Sequence, residues 1–318
     1  MRLCVSSPRI SRVIAIVLTL VAVGFALAIA REHWASVRAA AADTAVHWPR
    51  IGVSILLVFL AYAVLIQTWR RMVSAWDSSL GWGSAAHIWF VSNLGRYLPG
   101  KVWQVAAMGV LAQRAGVSAQ AAVGSSLVIA LVNILAGLVV IALTGRHALA
   151  VLELSAADLL LTAALVVSAT VTLPWYLPRL VSAVNRIFSR AIDVPRVPYS
   201  TILESAVGCA LAWLAYGIAF YILATAIAVV PAGATIGDHV AIFALSYLAG
   251  YLAVFAPGGI GVREVTMAAL LTNWLSYDVG TAGLIVIASR AWLTVLEMLP
   301  GLLLLGVSTV IKGTARPS

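Results

Sequence analysis

Charged residues are scarce in this 318-residue sequence: they form 10% of the chain, whereas 63% of the residues are hydrophobic. The mean hydropathy is +1.04. Soluble domains carry about 25% charged residues, and no water-soluble fold of this length could bury so much apolar surface. The sequence therefore predicts an all-α polytopic membrane protein, with a single transmembrane domain over residues 1–318.

Acidic residues number eleven, histidines five and cysteines two. Cys4 lies in the N-terminal tail and Cys209 inside an apolar run, so their spacing fits neither a disulfide framework nor a metal site. The sequence holds no His-x-x-His, Cys-x-x-Cys or Asp-x-Asp cluster, and no Gly-x-x-x-x-Gly-Lys-Ser/Thr loop for nucleotide phosphates. We therefore expect no metal, no cofactor and no catalytic residue, and an activity other than that of an enzyme.

Lysine and arginine outnumber the acidic residues by 20 to 11, which gives a formal net charge of +9. A nucleic-acid partner is not expected, because the basic residues punctuate apolar stretches of membrane width instead of gathering on one polar face. Cytoplasmic segments of membrane proteins are enriched in Lys and Arg. The basic residues that we place in the cytoplasm are Arg2, Arg9, Arg12, Arg70, Arg71, Arg179, Arg186, Arg190, Arg196, Lys312 and Arg316. Both termini are therefore predicted to be cytoplasmic.

Six apolar segments approach or exceed the ~20 residues that a membrane-spanning helix requires. They are residues 13–30, 51–69, 120–143, 158–176, 202–230 and 281–311. A cleaved signal peptide is the alternative for the first segment, because it follows basic residues and ends in Ala28-Ile29-Ala30. Either outcome leaves the orientation of the next segment unchanged.

Two further apolar regions, 84–115 and 239–275, are interrupted near their middles by Pro99-Gly100 and by Pro257-Gly258-Gly259. Proline and glycine end a helix and permit a sharp reversal of the chain. Each half is about fifteen residues, or about 22 Å of helix, against a hydrocarbon core of about 30 Å. We therefore predict two re-entrant helical hairpins whose tips are buried in protein or line a wet cavity.

The two broken regions also share a pattern: Ser92-x4-Tyr97-Leu98-Pro99-Gly100 is echoed by Ser246-x4-Tyr251-Leu252, followed after four residues by Pro257-Gly258. The predicted topology makes the units 51–143 and 202–311 an inverted repeat, an architecture typical of transporters. A chance match in a chain rich in Ala, Leu and Val is the alternative. The segment 177–200 has apolar residues at helical spacing opposite its arginines, so we interpret it as a cytoplasmic amphipathic connector on anionic lipid.

Polar residues near the two breaks are the candidate site. Arg96 and Lys101 flank the first break, and a helix starting near Lys101 would add free N–H groups, so we expect an anion site there. Some pairing is expected among Arg263, Glu264 and the last-span residues Arg290 and Glu297; a purely structural ion-pair network is the alternative for these four. The predicted substrate-binding residues are Asn93, Arg96, Tyr97, Pro99, Gly100, Lys101, Trp103, Gln104, Pro257, Gly258, Gly259, Gly261, Arg263, Glu264, Arg290 and Glu297.

The stretches 93–103 and 257–264 resemble the two signatures of a flippase-like family related to the transmembrane region of lysylphosphatidylglycerol synthase. The resemblance extends over about residues 10–311. It implies a bacterial inner-membrane protein that moves, or helps to process, aminoacylated phospholipids, polyprenyl-linked sugars or hopanoid precursors. The chain ends at Ser318 without a soluble aminoacyl-transferase domain, so we expect no lipid aminoacylation by the chain itself.

The leading hypothesis is a lipid flippase whose polar cavity takes in an anionic headgroup while the lipid tails remain in the bilayer. Membrane lipids are then its partners, and a homo-oligomer is compatible with the sequence. One alternative is a membrane-embedded lipid-modifying transferase. Another is a non-transporting partner of a separate lipid-modifying enzyme.

Overall fold

The computed structural model describes residues 34–42, 44–76, 79–97, 102–145, 197–253 and 256–314, with a few isolated helical positions at 31 and between 161 and 179. This described part is all-helical and contains no strand. Its helices are α1 (Trp34–Ala42), α2 (Trp48–Ser74), α3 (Trp82–Asn93), α4 (Val102–Arg114), α5 (Ala119–Thr144), α6 (Tyr199–Ile227), α7 (Ile236–Leu252), α8 (Val262–Leu275) and α9 (Val279–Thr314). Two 3₁₀ turns, turn 1 (Leu94–Tyr97) and turn 2 (Pro257–Gly259), follow α3 and precede α8.

Four of these helices, α2, α5, α6 and α9, are long and apolar enough to cross a membrane by length and composition. They confirm the predicted segments 51–69, 120–143, 202–230 and 281–311. At most 44% of the residues in their most apolar windows are buried inside the molecule, and large leucines point outward along them, as expected of a surface that meets lipid. The predicted segments 13–30 and 158–176 and nearly all of the connector 177–200 fall outside the continuously described residues.

The broken regions each form two short helices that contact each other: α3 and α4 have 12 and 13 residues, and α7 and α8 have 17 and 14. The second pair is antiparallel, because its two ends both meet. Arg263, at the start of α8, lies over the ring of Tyr247 near the end of α7. Tyr277, just past α8, places its hydroxyl 3.0 Å from Nε2 of His239, near the start of α7. These helices are shorter than a membrane span, and their re-entry into the bilayer stays a prediction.

Turn 2 requires glycine for two reasons. Gly259 has φ +72°, a conformation that residues with a Cβ rarely adopt. A Cβ on Gly259 would also lie 2.9 Å from Cα of Gly250, so α7 and turn 2 are in backbone contact. Turn 1 is equally close to the start of α4, because a Cβ on Gly95 would lie 2.7 Å from the backbone nitrogen of Gln104. The α3 helix ends at Asn93, several residues before the predicted break, and Pro99-Gly100 lies outside the described residues.

The two halves of the fold contact each other reciprocally. Helix α2 packs along α6, α3 packs against α9, and α5 packs against α7. If α2, α3, α4 and α5 of the first half correspond to α6, α7, α8 and α9 of the second, the α2–α6 contact joins two corresponding helices. The α3–α9 contact then corresponds to the α7–α5 contact. Turn 1 also contacts turn 2. Such reciprocity is the pattern of two units related by an approximate two-fold axis.

One element was not predicted from the sequence. The alanine-rich segment Trp34–Ala42 forms α1, which packs against α9. The approach is close, since a Cβ on Gly280 would lie 2.6 Å from the carbonyl oxygen of Ser36. Alanine is the strongest helix former, which accounts for a helix in a segment too short and too polar to have been predicted as a span.

Candidate functional site

A partly open cavity of about 60 Å³, which we call the polar cavity, lies where the two turns meet. At roughly 10–15 Å³ per molecule, this volume holds a few waters. Its wall combines turn 1, turn 2, the end of α7 and the starts of α4 and α8, and it faces the middle of α9. The residues that line this polar cavity are Arg96, Gln104, Tyr247, Gly250, Tyr251, Gly258, Gly259, Arg263, Arg290 and Glu297.

Arg96 of turn 1 is held by an ion pair. Its Nη1 lies 2.8 Å from Oε1 of Glu297 on α9 and 2.9 Å from the hydroxyl of Tyr247 on α7. The sequence alone indicates a cation without a compensating carboxylate, since no acidic residue lies near Arg96 along the chain. The structure corrects that interpretation, because folding brings α9 against turn 1.

Arg290 fastens α9 to turn 2. Its Nε lies 3.2 Å from Oε1 of Glu264, and its Nη2 donates to the Gly258 carbonyl at 3.1 Å. Glu264 has a second function, because its Oε2 accepts the Gly261 N–H at 2.6 Å and so caps the start of α8. The expected pairing within the group of four is therefore found between Arg290 and Glu264.

Arg263 differs from Arg96 and Arg290, which both form ion pairs. The residue is only 5% exposed, and its guanidinium lies over the rings of Tyr247 and Phe243, 4.8 and 5.3 Å from their centroids. Among the described residues it forms no ion pair, and its Nη2 has no hydrogen-bond partner. Removing an arginine from water without a paired carboxylate is costly, and the two rings offset only part of that cost.

A second and larger space, which we call the aromatic cavity, has a volume of about 200 Å³. It shares Arg96, Gln104, Tyr247, Tyr251 and Glu297 with the polar cavity, so the Arg96–Glu297 ion pair stands between the two spaces. Six further aromatic residues line it: Tyr62, Trp69, Trp89, Trp213, Tyr216 and Phe243. Its wall also includes the exposed side chains of Val105 and Leu127, so the cavity reaches the apolar outer surface.

The predicted site residues fall into four groups. Those that line a cavity are Asn93, Arg96, Gln104, Gly258, Gly259, Arg263, Arg290 and Glu297. Gly261 and Glu264 lie behind them and hold Arg290 and the start of α8. Trp103 lines neither cavity and is 54% exposed, which suits contact with lipid better than contact with a headgroup. Of Tyr97 and Pro257 only the backbone is described, and Pro99, Gly100 and Lys101 lie outside the described residues.

Sequence reasoning missed the aromatic wall. Tyr62 and Trp213 lie near the middles of α2 and α6, whereas interfacial aromatic belts lie at the ends of spans. The position of these aromatic residues near the middle of a span, away from the interfaces, is the sequence feature that could have identified the wall. Tyr247 and Tyr251 are four residues apart, so both fall on one face of α7. Within the described ranges, no group of three or more His, Cys, Asp or Glu side chains is placed to hold a metal ion.

Comparison with known proteins gives one result. Residues 12–301 match the family described as the lysylphosphatidylglycerol synthase TM region. No individual protein of curated function matches the chain significantly. The family match spans nearly the whole sequence, includes both turns and both cavities, and agrees with the apolar helices of the fold. This chain therefore belongs to the family of the lysylphosphatidylglycerol synthase transmembrane region, multi-pass membrane proteins related to lipid modification or transport.

Proposed function

We propose that this protein is a flippase-like transporter that moves a lipid with an anionic headgroup across the cytoplasmic membrane. The headgroup enters the cavities at the meeting of the two turns, while the lipid tails remain in the bilayer. A phosphate group is common to the substrates of interest, namely aminoacylated phospholipids, polyprenyl-phosphate-linked sugars and related glycolipids that contain a phosphate. Arg263 carries the proposal, because it is a buried cation on the wall of the polar cavity that forms no ion pair within the part of the chain that the structure describes.

The charge balance of the site supports an anionic ligand. Among the described residues around turns 1 and 2, three guanidinium groups (Arg96, Arg263 and Arg290) face two carboxylates (Glu264 and Glu297). Since both carboxylates are already paired, one positive charge is left over. A phosphodiester carries one negative charge and accepts several hydrogen bonds, so it would compensate Arg263.

The reciprocal contacts of the two halves support the rest of the transport hypothesis. We infer that the units 51–143 and 202–311 are an inverted repeat, with both broken helical pairs re-entrant and both termini cytoplasmic. In transporters of this design, half-helices meet near the bilayer midplane and the repeats rock around the fixed site. The Arg96–Glu297 ion pair joins turn 1 of the first unit to α9 of the second, so it is placed to change as the two units move.

The same ion pairs weigh against a lipid-modifying transferase. General base catalysis needs a carboxylate or histidine able to take up a proton from the reacting group. The two carboxylates of the site are each held by an arginine at 2.8 and 3.2 Å. Binding and passage of a headgroup therefore suit this site better than chemistry on it.

Reconstitution tests the proposal. The purified protein would be placed in liposomes with trace acyl-labelled phosphatidylglycerol, and reduction of the label in the outer leaflet by dithionite would follow transbilayer movement. We expect the protein to accelerate movement, and Arg263→Gln to slow it by about tenfold or more, as loss of a charged hydrogen bond predicts. Arg71→Gln, at the exposed end of α2, is the control. No acceleration by wild type, or equal rates for wild type and Arg263→Gln, would contradict the proposal.

A further inference from the structure

The aromatic cavity contains hydrogen-bonding groups that the protein does not satisfy. The indole N–H of Trp89 is buried and has no hydrogen-bond partner among the described residues, and the buried hydroxyl of Tyr62 approaches that of Tyr216 without good hydrogen-bond geometry. All three residues line the cavity. By contrast, the indole N–H groups of Trp69 and Trp213, on the same wall, donate to Ser126 Oγ and the Asn133 carbonyl at 2.9 Å. Buried polar groups are nearly always paired, so an indole N–H without a partner and a poorly paired hydroxyl on one cavity wall indicate a missing partner.

An amide pair lies between this wall and the polar cavity. Nε2 of Gln104 donates to Oδ1 of Asn93 at 2.6 Å. That bond leaves the Asn93 amide group able to donate and the Gln104 carbonyl able to accept. The cavity therefore offers donors and acceptors set among aromatic rings, close to the Arg96–Glu297 ion pair.

The hydrogen-bonding chemistry of these groups disfavours two kinds of occupant. An ammonium group cannot accept a hydrogen bond from the Trp89 N–H. It would also lie near Arg96 without a free carboxylate, because Glu297, the one acidic residue on this wall, is already paired. An acyl chain would fill the apolar part of the space and leave the donors unsatisfied, which costs free energy.

A neutral polyhydroxyl ring meets every requirement. Its hydroxyls both donate and accept, and its apolar faces can pack on aromatic rings. The cavity of about 200 Å³ holds on the order of fifteen waters at roughly 10–15 Å³ each, which is room for one such ring. Because the two cavities share a wall, a ring here would be adjacent to a phosphate held by Arg263.

We propose that the aromatic cavity is the subsite for a neutral, hydroxyl-rich headgroup, a sugar ring or a cyclic polyol, joined to the phosphate that Arg263 binds. The proposal rests on the proposed function for the phosphate, and it selects a glycosylated phospholipid or lipid-linked sugar over an aminoacylated lipid as the substrate class.

Binding of four defined lipids to the full chain tests this subsite. Phosphatidylmethanol, phosphatidylglycerol and phosphatidylinositol with the same acyl chains all carry one negative charge but differ in hydroxyl content; lysyl-phosphatidylglycerol adds cationic groups. Native mass spectrometry of the detergent-purified protein would give relative affinities. We expect phosphatidylinositol to bind at least about tenfold more tightly than phosphatidylmethanol, with phosphatidylglycerol between them and the lysyl lipid no better than phosphatidylglycerol.

Two substitutions test whether the preference for phosphatidylinositol comes from the aromatic cavity. Tyr62→Phe removes the hydroxyl and Trp89→Phe removes the indole N–H, and both variants keep an aromatic ring. Each should lower the preference for phosphatidylinositol about three- to tenfold, the value of one or two hydrogen bonds, and leave phosphatidylmethanol binding unchanged. The matched control is Trp76→Phe, since the Trp76 N–H is also buried without a partner among the described residues but does not line the cavity.

The outcomes separate this inference from the proposed function. Equal binding of the three anionic lipids, preference for the lysyl lipid, or a preference that Tyr62→Phe and Trp76→Phe change alike would overturn the subsite. In those cases, if Arg263→Gln binds phosphatidylmethanol more weakly than the wild type does, the proposed anion site at Arg263 is still supported. If none of the lipids binds, both proposals fail.

Discussion

Arg96 and Glu297 lie 201 positions apart in the chain, yet their Nη1 and Oε1 atoms are 2.8 Å apart. The pair joins turn 1 to the middle of α9, and Glu297 is almost completely buried while Arg96 is about one quarter exposed (side-chain exposures 8% and 23%). It lies on the wall shared by the two cavities. Its formation thus depends on the two halves of the fold coming together.

A double-mutant cycle tests whether this pair couples the two halves of the fold. Glu297→Gln and Arg96→Gln should each lower thermal stability, because each leaves a partly buried charge without its partner. The double variant Arg96→Gln/Glu297→Gln should be less destabilised than the sum of the single variants, by about 0.5–3 kcal/mol of coupling. Fluorescence-detected thermal unfolding in detergent provides the measurement, with Arg71→Gln as the control. Additive effects would show that the pair contributes no coupling.

The contact between α7 and turn 2 makes a second prediction. Gly259→Ala should lower the yield of folded protein sharply, because its Cβ would meet the backbone of Gly250 and the residue would keep φ +72°. Gly233→Ala is a matched control, since Gly233 has φ +86° but no atom lies within 4 Å of the position that its Cβ would take. The control isolates the cost of the backbone conformation, about 1 kcal/mol or somewhat more.

Size-exclusion profiles and unfolding temperatures of the two variants would be compared. We expect Gly259→Ala to be clearly the less stable. Equal stabilities would mean that the close approach of turn 2 to α7 is absent or easily relieved, and the shape of the polar cavity would then need revision.

The helical framework was accessible from the sequence because hydrophobicity reports it directly. Four apolar segments coincide with helices long enough to span a membrane, and both broken regions form pairs of short helices. Helix ends were less accurate. The prediction for the second span was residues 51–69, whereas α2 covers Trp48–Ser74, since Arg50, Arg70 and Arg71 interrupt the apolar run but not the helix.

The pairing within the site could not be read from the sequence. Spacing along a helix places Arg290 and Glu297 on one face, and both do line the polar cavity. Which partner each takes depends on tertiary contacts: Arg290 pairs with Glu264, and Glu297 pairs with Arg96. The sequence indicated Arg96 and Lys101 as cations without a nearby carboxylate. Lys101 lies outside the described residues, Arg96 pairs with Glu297, and Arg263 is the described arginine of the site that forms no ion pair.

The most direct test of the central claim, that Arg263 recognises a phosphate where the two turns meet, is a ratio of transport rates. Liposomes containing the protein would carry acyl-labelled phosphatidylinositol or an acyl-labelled glucosyl-diacylglycerol, which has the same tails and a hydroxyl-rich ring but no phosphate. We predict that wild type moves the phosphate lipid at least about tenfold faster, and that Arg263→Gln brings the ratio close to one by slowing that lipid alone. A ratio that Arg263→Gln leaves at the wild-type value would contradict the account.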